Sequence, residues 1–207
     1  DGWQLGLYGN YDTGTVYVKG SVSYSDLNAD SERTISIGQG LSPWHLNGTT
    51  NPVAGTIVGS PDANIWSVAG EVGYRFPVSV SATLTPYLAL DYASVDLNSF
   101  TESGVPGANL TIDGSDDYFT GEIGLELAFE AGNIRPYIKG GYQHNFSNSR
   151  ADFQAAFAEG PAGTDFNVIS EDFADGSAVV EAGLAAELGP NLDAHIGYQG
   201  RFSSDVE

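Results

Sequence analysis

The sequence contains no cysteine, no methionine and only seven lysine and arginine residues among 207. Without cysteine there is no disulfide framework and no thiol chemistry. The net charge of −20 at pH 7 excludes most nucleic-acid partners, because neutralising phosphates requires a basic surface. No run of the sequence approaches the roughly 18 apolar residues that a transmembrane helix requires. What the sequence has instead is glycine and aromatic residues, a combination typical of β-hairpins.

The segment GEIGLELAFE, residues 121–130, shows how the chain is patterned. Glu122, Glu126 and Glu130 are four apart, as on one face of a helix, but two glycines and mutual repulsion disfavour that helix. Strict alternation fits every residue of 118–130, with apolar side chains on one face and acidic ones on the other. We therefore predict a strand.

The same alternation recurs along the chain and predicts eight strands. They span residues 2–11, 14–25, 64–76, 82–95, 117–130, 133–146, 177–188 and 191–203. One face of each carries no Asp, Glu, Lys or Arg. The opposite faces carry the candidate pore-lining residues, which are Lys19, Glu71, Arg75, Asp91, Glu122, Glu126, Arg135, Lys139, Glu181, Glu187 and Arg201.

Two features predict that the apolar faces point outward, toward lipid. The strands are roughly 10–14 residues long, and a tilted membrane strand needs about 9–11 whereas strands of soluble proteins have a mode near 5–6. Aromatic residues also cluster toward the ends of the apolar faces, as in the two aromatic girdles of membrane barrels. The candidate girdle comprises Trp3, Tyr11, Tyr24, Trp66, Tyr74, Phe76, Tyr92, Phe119, Phe129, Tyr142, Tyr198 and Phe202.

The connections alternate in length. Short turns are predicted at Asp12–Thr13, Pro77–Ser81, Ala131–Gly132 and Gly189–Pro190, and long connections at 26–63, 96–116 and 147–176. Outer-membrane barrels pair short periplasmic turns with long extracellular loops in this way. The pattern predicts an all-β, antiparallel, up-and-down transmembrane barrel. Lys139 and Arg135 are expected to meet Glu122 and Glu126 on the preceding strand.

Four phrases of the sequence resemble a known family. GWQLGLYGNYDTGTVYVKGSVSYS, LTPYLALDYASVDLNSFTESG, IRPYIKGGYQHNF and ELGPNLDAHIGYQGRFSSD look like the translocator β-domain of bacterial autotransporters, the type V secretion proteins. The resemblance implies a twelve-stranded barrel, of which these would be strands four to eleven. Residues 1–207 are thus expected to be one outer-membrane barrel domain, incomplete at both ends.

The resemblance also implies a function, a location and partners. The function is to anchor an N-terminal passenger and help export it to the cell surface, and the location is the outer membrane of a Gram-negative bacterium. The implied partners are outer-membrane lipid and lipopolysaccharide, a covalently linked passenger domain and the barrel-assembly machinery.

Other functions remain open on sequence alone. A self-contained small barrel with a structural, adhesive or porin-like role would need strand 2–11 to pair with strand 191–203. A barrel enzyme would need a cluster of catalytic side chains at the outer rim, and a soluble β-protein would bury its apolar faces. No catalytic motif, metal-ligand spacing or cofactor fingerprint is present, so we expect neither an enzyme nor a cofactor. The inward charges could line a pore, contact a plug, cut a linker, or pair only with one another.

Overall fold

The structure, a computed structural model, describes residues 1–37, 53–147, 152–161, 163–170, 174–189 and 192–203. These residues form thirteen strands and no helix long and apolar enough to cross a membrane. The strands are β1 (Gly2–Asp12), β2 (Val16–Asn28), β3 (Ser31–Ile37), β4 (Val53–Gly59), β5 (Asp62–Tyr74), β6 (Phe76–Ser79), β7 (Ala82–Thr101), β8 (Leu110–Phe129), β9 (Ile134–Asn145), β10 (Asp152–Phe157), β11 (Phe166–Ile169), β12 (Gly176–Gly189) and β13 (Leu192–Phe202).

Eight of these strands form one antiparallel meander, in the order β1-β2-β5-β7-β8-β9-β12-β13. They correspond in order to the eight predicted strands, so the all-β, up-and-down, antiparallel class is confirmed. The sheet is curled as a half-barrel. Within the described residues no pairing joins β1 to β13. The assignment to strands four to eleven of twelve stays a prediction.

The predicted short turns hold for the hairpins that the structure describes. At the β1–β2 turn the Gly14 N–H donates to Asp12 Oδ1 at 2.7 Å, and Gly14 has a φ of 84°, which glycine adopts without strain. Gly132 plays the same part between β8 and β9, with a φ of 68°. The turn predicted at Pro77–Ser81 is shorter than expected, because β6 pairs with β7 through Ser79. Pro190 lies outside the described residues.

The long connections contain strands that the alternation did not predict. β3 and β4 form a separate hairpin, while β10 pairs with both β11 and the outer end of β8. β7 and β8 themselves continue past their predicted ends, to Thr101 and from Leu110, with a register shift between Leu97 and Phe100. These segments form a layer at the end of the sheet that carries the long connections.

Burial in the sheet is the reverse of that in a soluble β-sandwich. Large apolar side chains on one face are exposed, including Leu7 at 72 % and Ile123 at 66 %. The buried side chains of the central strands lie on the other face, and most are polar: Thr85, Tyr87, Thr120, Glu122, Gln143 and Asn145. Contacts between side chains of non-adjacent strands, described below, show that this polar face is the concave one. In the separate layer of connecting segments the buried apolar side chains are Ile57, Val105 and Ala155.

Candidate pore-lining site

The concave face encloses an open cavity of about 520 Å³ in its middle. The cavity lies between residues of seven strands, from Tyr8 on β1 to Arg201 on β13. Alternation and register place its polar side chains, since Lys19 lies opposite Glu71 and Glu122 lies opposite Gln143. Six of the predicted pore-lining residues line it: Lys19, Glu71, Asp91, Glu122, Lys139 and Arg201.

Glu71 is the centre of the charge network in this cavity. Its Oε1 accepts a hydrogen bond from the Tyr17 hydroxyl at 2.6 Å and lies 3.0 Å from Lys19 Nζ. Its Oε2 accepts from Lys139 Nζ at 3.2 Å. The Glu71 side chain is 11 % exposed, so both lysines neutralise a carboxylate that water reaches poorly.

The expected partners of Lys139 and Arg135 were wrong. Lys139 lies opposite Glu126 in the β8–β9 register, yet its ammonium crosses to Glu71 on β5. Arg135 Nη1 comes within 4.0 Å of Glu130 Oε1, beyond the end of β8. The two deviations have different causes. The curvature of the sheet brings the non-adjacent strands β9 and β5 together on the concave side, which lets Lys139 reach Glu71. Arg135 instead meets Glu130 across the turn between the paired strands β8 and β9.

Three tyrosine–glutamate pairs recur across the concave face. The hydroxyl of Tyr17 donates to Glu71, that of Tyr87 to Glu122 and that of Tyr137 to Glu181. In each pair the tyrosine lies opposite a glycine two residues after its glutamate in the adjacent strand: Gly73, Gly124 and Gly183. A Cβ on any of the three glycines would collide with the tyrosine ring.

The sequence-based prediction missed these tyrosines, although a signal for them exists. The tripeptides Glu-Val-Gly, Glu-Ile-Gly and Glu-Ala-Gly occur at residues 71–73, 122–124 and 181–183, each facing a tyrosine on the neighbouring strand. Glycine in a strand marks a close approach by another group. The recurring tripeptide is therefore the sequence signal of a close contact from the neighbouring strand at each of the three glycines.

The other predicted pore-lining residues lie nearer the short turns. Arg75 donates to Asp12 Oδ1 at 2.7 Å, and its guanidinium lies 4.9 Å from the centroid of the Tyr17 ring. Glu126 shares a smaller cavity with Arg75 and Arg135. Glu187 lies in a further cavity with Glu130 and Arg135. The pore-lining role of the whole set remains a prediction.

The candidate girdle residues lie on the convex face. Eleven of the twelve are exposed, from 37 % for Phe119 to 79 % for Tyr198, and Tyr24 is half-buried. Trp3, Tyr24 and Trp66 form a row across three strands, with ring centroids 5.3 and 4.8 Å apart. Their contact with lipid remains a prediction.

The two faces exchange polarity at this aromatic row. Beyond Tyr24 and Trp66 the convex positions become Asp26, Asn28, Asn64 and Asp62, while the concave ones become Leu27, Ile65 and Ala63. Beyond Tyr92 and Phe119 the convex pairs become Ser94–Asp117 and Asp96–Ser115, and the concave ones Val95–Asp116 and Leu97–Gly114. The apolar convex face therefore ends toward the same end of both pairs of strands, two register positions apart, since Trp66 lies opposite Ser94 and Tyr92 opposite Val68. Such an end is expected where lipid gives way to water.

The layer of connecting strands is held by an ion pair. Arg33 on β3 donates through Nε and Nη2 to the two carboxylate oxygens of Glu102, at 2.9 and 2.6 Å, and also to the Ala108 carbonyl oxygen at 2.7 Å. The Leu110 N–H donates to the same carboxylate at 2.9 Å. The hydrogen bonds from Arg33 lower the pKa of the Glu102 carboxyl below its usual range.

In the part of the chain that the structure describes, no three histidine, aspartate or glutamate side chains group around a common point as metal ligands would. The concave face combines fixed charges of both signs with open space, so it can hold water and contact a polar chain.

The comparison with known families agrees with this geometry. The sequence model of the Autotransporter beta-domain family matches residues 1–199. No curated protein matches the chain. The chain therefore belongs to the autotransporter β-domain family, the translocator domains of the outer membrane.

Proposed function

We propose that the domain forms part of the wall of a pore that carries a covalently linked passenger to the surface of a Gram-negative cell. The observation behind the proposal is the pairing of an apolar convex face with a charged, water-accessible concave cavity. In this proposal the convex face contacts outer-membrane lipid and lipopolysaccharide, and the barrel-assembly machinery inserts the domain. The charges at the cavity keep the passage hydrated and contact the moving chain.

The cavity lining suits transient contact with a polypeptide. It carries both signs of charge, from Lys19, Lys139 and Arg201 and from Glu71, Asp91 and Glu122, so no single sign of substrate is held tightly. Gln143 and Gln199 add side chains that both donate and accept hydrogen bonds. The alternative of a self-contained small barrel requires β1 to pair with β13, a pairing not present among the described strands.

A pair of tryptophan substitutions tests the proposal in the precursor that carries its passenger. Ala89→Trp projects an indole into the cavity, and Ala194→Trp adds the same group to the exposed face of β13. Protease added to intact cells should digest several-fold less passenger in the Ala89 variant, normalised to the barrel in the outer membrane. The Ala194 variant should match the wild type. Equal passenger digestion in both variants would contradict a passage along this face.

A further inference from the structure

The position of Lys139 differs from the one that its register predicts. On β9 it lies directly opposite Glu126 of β8 and Glu181 of β12. Directly opposite residues have Cβ atoms about 4.5–5.5 Å apart, which makes these two glutamates the nearest carboxylates along the sheet. The ammonium nevertheless lies 3.2 Å from Glu71 Oε2, on β5.

Reaching Glu71 requires a curved sheet. β5 and β9 are separated by β7 and β8, which is three strand spacings. In a flat sheet three spacings of about 4.8 Å amount to roughly 14 Å across the strands. The register places Gln143 level with Glu71, so Lys139 also lies four residues, about 13 Å, along the strand, and the two Cβ atoms would be roughly 20 Å apart. A lysine and a glutamate side chain together extend about 10 Å beyond their Cβ atoms, at about 1.5 Å per bond, so with the 3.2 Å between Nζ and Oε2 they span roughly 14 Å at most. The contact therefore forms only while β5 and β9 are drawn together across the concave side.

Tyr87 supports the crossing. Its ring, on β7 between the two ends, lies 3.9 Å from Lys139 Nζ, and its hydroxyl is fixed by Glu122. The side chains of Lys139 and Glu71 are only 16 % and 11 % exposed. The aromatic face stabilises the ammonium of this shielded ion pair, while the desolvation of both charges offsets part of their attraction.

We propose that Lys139 is a two-position latch on the interior of the barrel. In the narrow position it bridges to Glu71 over Tyr87. In the wide position it returns to Glu126 or Glu181, the carboxylates beside it in the register. Because one ion pair replaces another, the exchange leaves no buried charge without a partner and the two positions stay close in free energy. The role of widening, which is to admit a passing chain, rests on the proposed function.

Distance measurements across the latch test it. The chain has no cysteine, so spin labels can be placed on Val72→Cys and Ile138→Cys, the exposed convex neighbours of Glu71 and Lys139. In the membrane-inserted full-length protein, Lys139→Met should lengthen the mean distance between labels by more than about 2 Å, half a strand spacing, and broaden its distribution.

Lys19→Met is the matched control. It also removes a cation from Glu71, but from the adjacent strand β2, and should leave the distance unchanged. Glu71→Gln should reproduce the Lys139→Met shift, and the double variant should add nothing to it. No shift in Lys139→Met, an equal shift in Lys19→Met, or an additive double variant would each overturn the latch. The distances require no passenger, so failed export with the expected shifts would contradict the proposed function alone.

Discussion

Replacing Leu125 with arginine provides the most direct test of the assignment of the convex face to lipid. Leu125 is 52 % exposed and lies on β8 opposite Pro86 and Gly140, neither of which offers an anion. The apolar run of this strand extends from Phe119 to Phe129, ten residue steps that rise about 34 Å along the strand. At a tilt of about 40° this becomes roughly 26 Å along the membrane normal, close to the apolar band of about 25 Å in outer-membrane barrels.

That geometry determines the expected magnitude. Leu125 is six steps from Phe119 and four from Phe129, about 3 Å from the middle of the band at about 3.4 Å per step. Arginine at the midplane of a membrane barrel costs about 2–4 kcal/mol. At about 1.4 kcal/mol per factor of ten, the equilibrium between inserted and unfolded protein should shift roughly 30-fold to 700-fold toward unfolded.

The assay is a urea titration of the full-length protein in phospholipid vesicles, followed by tryptophan fluorescence. Gln199→Arg is the control, because Gln199 is exposed in the concave cavity, opposite Glu181 in the register. We expect that variant to fold within about 0.5 kcal/mol of the wild type, as surface substitutions usually do. If the two arginines cost the same, the convex face does not contact lipid and the reasoning fails.

Three further predictions concern the buried pairs. Tyr87→Phe leaves the buried Glu122 carboxylate without its tyrosine donor and should lower the free energy of unfolding by about 1–3 kcal/mol. Tyr8→Phe, which alters a ring that is 93 % exposed, should leave it unchanged. Equal urea midpoints for the two variants would refute a stabilising role of the Tyr87–Glu122 hydrogen bond. Gly124→Ala drives a Cβ into the Tyr87 hydroxyl and should cost about 1–3 kcal/mol in the same titration, whereas Gly140→Ala meets open space and should be neutral. Because the pKa of Glu102 is lowered in the folded protein, its ion pair with Arg33 stabilises the layer of connecting strands above the usual carboxyl pKa, and this contribution is lost as pH falls through the lowered value. Amide hydrogen exchange of β3, corrected for intrinsic rates, should therefore become faster in acid. Glu102→Gln should speed this exchange at neutral pH and abolish its dependence on pH.

The central strands could be predicted because alternation identifies both a strand and its faces. Position along a strand also predicted which charged residues share the concave face. It did not predict their partners, because partners depend on curvature, and curvature arises from the assembled sheet. Lys139 shows the difference: the register offers Glu126 and Glu181, and only the curled sheet offers Glu71. Tyr87 was missed for a related reason, since aromatic residues were expected on the lipid side and this one is buried over Gly124.

The premature ends predicted for β7 and β8 have a physical origin. The prediction followed one persistently apolar face and stopped at residues 95 and 117, yet the strands continue to Thr101 and from Leu110. At that level the convex positions turn polar or acidic and the concave ones, apart from Asp116, turn apolar or small, so the period of two persists while its phase reverses. A solvent that changes along the strand produces such a reversal, because only the part within lipid requires apolar side chains on the convex side. If the convex face contacts lipid as predicted, the loss of the pattern marks the edge of the membrane and not the end of the strand. Predicting such strands from sequence therefore requires that the phase be allowed to reverse once.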